Sequence, residues 1–286
     1  MTYNRAESLL KVLNSLDKLE LDGATASLEI WIDKPKDKDV VHAPTLKTAR
    51  DFVWSRGQKR VHVQQRHVGI YGQWIDTWQP RGNELSLILE DDISVSPFAW
   101  RWIKAVHNNF GNRSDILGYT LQSEGVTTAV GGKAINAPKE AKVFMNRQMG
   151  SWGFAPHPKV WAEFQEWYHE VRKDKNFKPY VGGGVVFDSW YKNFEKKGTQ
   201  DSMWTIWFIK YTNERDMYGI NNNLVSYTGD KNTQLAVHRR EAGLHFQGKG
   251  LNNEGKLLTT WKEEYVQFGK TIPKYEFNGK MSDVNL

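Results

Sequence analysis

Apolar positions along the first hundred residues alternate between two rhythms. Leu9, Leu10, Leu13 and Leu16 in "YNRAESLLKVLNSL" recur at helical spacing, and Asn4 with Glu7 has the form of an N-terminal cap. "ASLEIWID" then alternates, placing Leu28, Ile30 and Ile32 on one face of a strand. "TLKTARDFVWSRG" predicts a second helix stopped at Gly57, "RVHVQQR" a short strand, "VGIYGQWIDTW" a third helix and "QPRGNE" a turn. "LSLILE" is nearly continuous in apolar residues, as in a strand buried on both faces of a parallel sheet. Ser96 and Pro97 open a further helix with Phe98, Trp102, Ala105 and Val106 as its inner stripe.

Strands alternating with helices across short connections predict an α/β chain with a mostly parallel central sheet flanked by helices. Ligands of such sheets bind at the carboxyl ends of the strands, where Asp33 and the acids Glu90, Asp91 and Asp92 fall. The second half is less regular. "DILGYTLQ" reads as a strand, "VTTAVGGKAINAP" as a loop and "QMGSWGFAP" as an extended piece. "PKVWAEFQEWYHEV" predicts a helix with Trp161, Phe164, Trp167 and Tyr168 as its ridge, and "DSWYKNFEKKG" and "DSMWTIWFIKYT" two more. The expectation is one domain over residues 1–286, with a polar surface tail over 249–286. "MTYN" is short for a first strand, which suggests a trimmed domain of a longer protein.

Composition narrows the function classes. With 286 residues, 39% apolar and 13 Trp, the chain can bury a sizeable core. The absence of Cys excludes disulfides, thiolate metal sites and a Cys nucleophile. The net charge of +6 is spread among 33 acids, and the densest basic cluster, His238 to Arg240, is short, which argues against nucleic acid as a partner. No apolar run approaches the ~18 residues of a membrane span.

Three adjacent carboxylates after a buried strand repel one another and invite a counter-charge. They suit a hard divalent cation, Mn²⁺ or Mg²⁺, which takes oxygen ligands and in turn holds a diphosphate. Acids opening a turn are the plainer alternative.

"TYNRAESLLKVLNSL", "LEIWID" and "LSLILEDDISVSPFAW", in that order, resemble successive elements of the GT-A glycosyltransferases, nearest to the N-acetylglucosaminyltransferase I group. "GSWGFAPHPKVWAEF" resembles that group's acceptor-side segment and "TQDSMW" its aspartate-bearing catalytic stretch, so the likeness spans most of residues 2–245. It implies a Rossmann-like GT-A fold, with a nucleotide-sugar half over 1–110 and an irregular acceptor-side half over 111–248. Thr2 and Arg5 would lie against the nucleotide, Asp33 would accept a hydrogen bond from the base, and Glu90 and Asp91 would contact ribose and donor sugar. Asp92 would hold the metal, with His245 as a second ligand or phosphate donor. Arg66 and His67 would either reach the nucleotide or sit on the surface at a helix start. Asp201 would be the general base of an inverting transfer, or a helix cap, with Asp188 as the fallback. Gly150, Trp152 and Gly153 would form a sugar platform.

The implied activity is transfer of a sugar from a nucleotide-diphosphate sugar to a glycan, glycoprotein or other hydroxyl acceptor. The catalytic domain would be soluble, either cytoplasmic or the lumenal part of a longer Golgi-type protein. The alternatives are a non-catalytic carbohydrate-binding protein on the same fold and a sugar-phosphate nucleotidyltransferase, which usually carries a Gly-rich loop not evident near this N-terminus.

Overall fold

The structure is a computed structural model that describes residues 1–82, 84–239 and 256–285. In chain order, α1 (Ala6–Leu16), β1 (Leu28–Ile32), α2 (Ala43–Asp51), β2 (Lys59–Val63) and α3 (Gly69–Ile75) alternate as the apolar rhythm predicts, although α2 stops at Asp51, where Phe52 turns extended, and not at Gly57. β3 (Ile93–Val95), α4 (Ala99–Phe110), β4 (Ile116–Thr120), β5 (Val143–Asn146), β6 (Phe154–Pro156) and α5 (Pro158–Val171) follow. α6 (Val186–Lys196), a 3₁₀ turn (Gln200–Ser202), α7 (Thr205–Asn213), β7 (Tyr218–Asn222), α8 (Leu224–Thr228) and β8 (Ala236–His238) complete the stretch before residue 240. β9 (Thr271–Tyr275) and β10 (Met281–Asn285) end the chain.

Burial explains the local choices. α1 turns Leu9, Val12 and Leu13 inward, while Leu10, a member of the expected stripe, stays 43% exposed. The predicted Asn4 cap is not made: Arg5 occupies the cap position and no side chain bonds the first turn. In β1 the expected face, Leu28, Ile30 and Ile32, is buried. α4 buries Trp102, Ile103, Val106 and Phe110 against the sheet, and Ser96 Oγ accepts the Phe98 N–H just ahead of it.

The six-stranded sheet runs β10-β9-β5-β7-β4-β6, with β4–β7 and β5–β9 parallel and the β10–β9, β5–β7 and β4–β6 pairs antiparallel. The central sheet is therefore mixed, a correction to the mostly parallel arrangement expected. The reason lies in the connections: parallel neighbours need a long crossover, usually helical, and no helix intervenes between β4 and β6.

Hydrogen bonding continues past β6. Ile88 N–H donates to Phe154 O at 2.9 Å, the Met1 nitrogen reaches Leu89 O at 2.8 Å, and Thr2 bridges Ile32 in parallel. "LSLILE" is thus an extended segment paired at Ile88 rather than a full strand, and its neighbour on the other side is only the Met1–Thr2 piece. The order across this half is β2, β1, Thr2, Leu89, β6. The segment at Leu89 follows β2 in the chain yet lies on the far side of Thr2, so the direction of strand succession reverses between Thr2 and Leu89.

The expected surface tail is also corrected. Leu258, Tyr265, Ile272 and Tyr275 are buried, and β9 is an interior strand of the sheet. Its few apolar residues, scattered among polar ones, give little periodic signal, yet Ile272 packs into the main core.

Gly118 on β4 shows how closely the strands approach. Its φ is +149°, and a Cβ there would lie 2.7 Å from Ala155 O and 2.8 Å from Pro156 Cα of β6. Gly118→Ala is expected to lower unfolding stability by ~2 kcal/mol or more through overpacking and strain, read by urea denaturation. Wild-type stability in this variant would contradict the register of β4 with β6.

Candidate active site

The reversal between Thr2 and Leu89 puts the residues that follow them at one sheet edge. In open α/β sheets a crevice opens at such a point, outside the carboxyl ends of the strands. Arg5 comes three residues after Thr2, and Asp91 and Asp92 come two and three after Leu89. Their side chains meet there.

The three acids fan out to different partners. Glu90 accepts a hydrogen bond from Trp74 Nε1 at 3.0 Å. Asp91 accepts from Thr2 Oγ1 at 2.5 Å and is ion-paired with Arg5. Asp92 lies 3.3 Å from Arg5 Nη1 and 3.5 Å from His238 Nε2. The strand pair β3–β8 delivers His238, because Ile93 and His238 are partners in its register. Arg239, next along, donates its backbone N–H to Asp92 O at 2.7 Å and its guanidinium to the carbonyls of Ser8 and Asp91.

Charge and burial set the proton affinities. Burial, reinforced by Asp92, raises the Glu90 carboxyl to about 7 against the opposing Trp74 bond. Burial also raises Asp91, outweighing the attraction of Arg5. For Asp92 burial acts upward too, but the hydrogen bond and charge of His238, with Arg5, hold it below the ordinary range. Asp92 is therefore the most firmly ionised of the three.

Among the described residues no group of three or more His, Asp or Glu is arranged to hold a metal ion. One feature of the triplet does suit a cation. Asp92 Oδ1 is buried and has no hydrogen-bond partner, leaving a hard oxygen donor unsatisfied while Arg5 and His238 meet its sister oxygen. The donor set fits an ion held by one protein carboxylate, with a ligand's oxygens completing its shell. His245, the expected second ligand, lies outside the described residues.

The other predicted residues divide. Asp33 is buried and fully engaged: Oδ1 accepts from Lys34 and Val68 N–H at 2.9 and 3.0 Å, and Oδ2 from Gly69 N–H at 3.0 Å with His67 Nδ1 at 3.1 Å. It caps α3 and has no lone pair directed at a nucleotide base. His67 also meets Lys34 O at 2.7 Å, so it closes this loop. Arg66 is exposed.

Asp201 lies exposed in the 3₁₀ turn and caps nothing, since no side chain bonds the start of that turn or of α7. The turn is tied to the acids by aromatic contacts: Tyr71 Oη donates to Gln200 O at 2.7 Å, and Trp204 stacks on Trp74 with centroids 4.2 Å apart. Trp74 is the indole that bonds Glu90. Asp188 accepts the Val181 and Gly182 N–H groups at 2.8 Å each, a structural duty that removes it as the fallback base. Trp152, expected in a sugar platform, stacks on His238, the imidazole that meets Asp92, with centroids 5.2 Å apart.

Sequence reasoning missed His238, Arg239 and Trp74. The first two lie in the short basic cluster, and such a cluster by itself gives no sign of which acids it meets. No protein-family model matches the chain, and no curated protein matches it.

Two outcomes test this electrostatic picture. Glu90 is raised from its ordinary 4.5 to about 7, so the folded state binds the extra proton between those values and stability falls as pH rises through them. Glu90→Gln, which keeps the acceptor for Trp74, should gain in Tm relative to the native chain on moving from about pH 5 to about pH 8; parallel melting curves would contradict the burial of that charge. Asp33→Ala should cost about 2 kcal/mol in urea denaturation by uncapping α3.

Proposed function

We propose that this chain is a nucleotide-sugar-dependent glycosyltransferase of GT-A type that transfers with inversion and uses a divalent cation. The observation that carries this reading is the acidic triplet at the point where strand succession reverses, with one buried carboxylate oxygen of Asp92 unsatisfied. The resemblance of the ordered segments to GT-A enzymes supports it, as does the position of Asp201.

Each residue has a role that follows from its surroundings. Arg5 bridges Asp91 and Asp92 and brings positive charge to the edge where a phosphate would bind. His238, half-buried with its Nε2 3.5 Å from Asp92, adds a second nitrogen there. Asp92 would hold Mn²⁺ or Mg²⁺ through Oδ1; when bound, the ion supplies neutralising charge for the departing diphosphate. Glu90 and Asp91 would contact the ribose and sugar of the donor. Asp201, exposed and uncommitted, takes the proton of the acceptor hydroxyl as that oxygen attacks the anomeric carbon from the side opposite the leaving group. Asp33 supports this edge structurally, by fixing α3.

Asp92→Asn should reduce release of nucleoside diphosphate from a sugar-nucleotide panel with Mn²⁺ by about two orders of magnitude or more. Asp201→Asn should lower kcat by ~10²–10⁴ while leaving nucleotide affinity unchanged by calorimetry. Full turnover in the Asp92 variant would remove the cation from this reading, and full turnover in the Asp201 variant would remove the base.

The pairing of Asp91 and Asp92 with Arg5, and of Asp92 with His238, favours a second reading, a carbohydrate-binding protein without catalysis. Sugar binding that persists in EDTA, with no affinity for nucleotide, would establish that alternative.

A further inference from the structure

A second group of unsatisfied polar atoms lies away from the acids. Ser123 Oγ, Asn146 Nδ2, Gln148 Oε1 and Asn221 Oδ1 are all buried and lack hydrogen-bond partners. Asn146 and Asn221 are 2% and 0% exposed, whereas Ser123 and Gln148 are half-buried as residues. A buried amide left half-used costs free energy unless something completes it.

The orientations of the amides are fixed. Asn221 Nδ2 donates to Gly219 O at 3.1 Å, which leaves its oxygen as the open atom. Asn146 Oδ1 accepts from Gln148 N–H at 3.4 Å, which leaves its nitrogen open. The register sets Asn146 opposite Gly219 and Phe144 opposite Asn221, so both amides stand on one sheet face, with a glycine, which has no side chain, across from Asn146 and the Phe144 ring across from Asn221. Asn221 also pairs with Thr120 of β4. The chain after β5 crosses back over this face. A Cβ on Gly150 would lie 2.6 Å from Gln122 Oε1 and 2.7 Å from Thr120 Oγ1. Two residues on, Trp152 stacks on His238, the partner of Asp92. One short segment therefore connects these amides to the acid triplet.

The open atoms comprise acceptors, a donor and a hydroxyl that serves as either. The nearest cation in sequence, Arg147, is committed to Glu276 and Asp216. An anion, which only accepts, would leave Gln148 and Asn221 unmet, and an ammonium, which only donates, would leave Asn146 unmet. Neighbouring sugar hydroxyls, which do both, match the set.

We propose that Ser123, Asn146, Gln148 and Asn221 form a subsite for a neutral, hydroxyl-bearing sugar unit. Its assignment to the acceptor, rather than to any other bound saccharide, rests on the transferase reading above.

The test uses the full ¹⁵N-labelled chain and a panel of methyl glycosides of glucose, galactose, mannose and N-acetylglucosamine, with glucuronate and inorganic phosphate as anionic controls. At least one neutral glycoside should shift the side-chain amide resonances of Asn146 and Asn221, and the anions should not. Asn221→Leu should weaken that binding about tenfold, and Ser123→Ala, at a half-buried position safe for folding, several-fold. Nucleoside diphosphate affinity with Mn²⁺ should be unchanged in both. If no neutral glycoside moves these resonances, or if binding survives unaltered in Ser123→Ala and any folded Asn221→Leu, ordered water completes the amides and the subsite is refuted. Nucleotide binding without glycoside binding would refute the subsite alone. Glycoside binding at these amides without nucleotide binding would refute the transferase reading and leave the subsite standing.

Discussion

The Arg5 guanidinium between Asp91 and Asp92 is the contact on which the sheet edge depends. Three adjacent carboxylates raise one another's proton affinity, and burial raises it further. A fixed cation that spans two of them, with His238 behind Asp92 and an indole N–H on Glu90, lets the chain keep at least Asp92 ionised in a buried position. It also pins the start of α1 to the end of the segment at Leu89. Removing one partner would leave a buried charge uncompensated, which costs far more than the pair itself contributes.

Around this contact the molecule separates rigid support from open chemistry. Asp33 and Asp188 spend both carboxylate oxygens on backbone N–H groups and hold loops. Asp92 Oδ1 and the Asp201 carboxylate are left over, one buried and one exposed. A stack of aromatic rings, Trp204 on Trp74, fixes the spacing between them without any polar link that a ligand would have to displace. The same economy holds farther along the sheet, where each Asn uses one half of its amide on protein and presents the other.

Much of the first half was legible in the chain because its signals are local. Helical and alternating periodicity marked α1, β1, α3 and α4, and the acids were placed at a strand end from the apolar run before them. Other assignments failed for identifiable reasons. Asn4 resembles a cap, but the Met1–Thr2 segment enters the sheet and Arg5 turns to the acids, so the helix starts without it. Asp33 looked like a free loop acid because the N–H groups that consume it come from residues 68 and 69, 35 and 36 positions away. The sheet looked parallel because strand rhythm carries no sense of direction; the missing helix between β4 and β6 was the overlooked signal. The tail looked like surface because β9 has few apolar residues, and its place between β5 and β10 depends on them.

The sequence by itself determined the alternation of elements, the apolar faces and the position of three acids at the end of a buried run. These follow from periodicity and chain continuity, which act over a few residues. Only the tertiary structure decided which cations meet those acids, which carboxylates are already spent and which buried amides remain open. Arg5 and Asp92 are 87 positions apart and His238 lies 146 beyond Asp92. Electrostatic and hydrogen-bond partners at such separations are chosen by how the strands pair, and no local pattern records that choice.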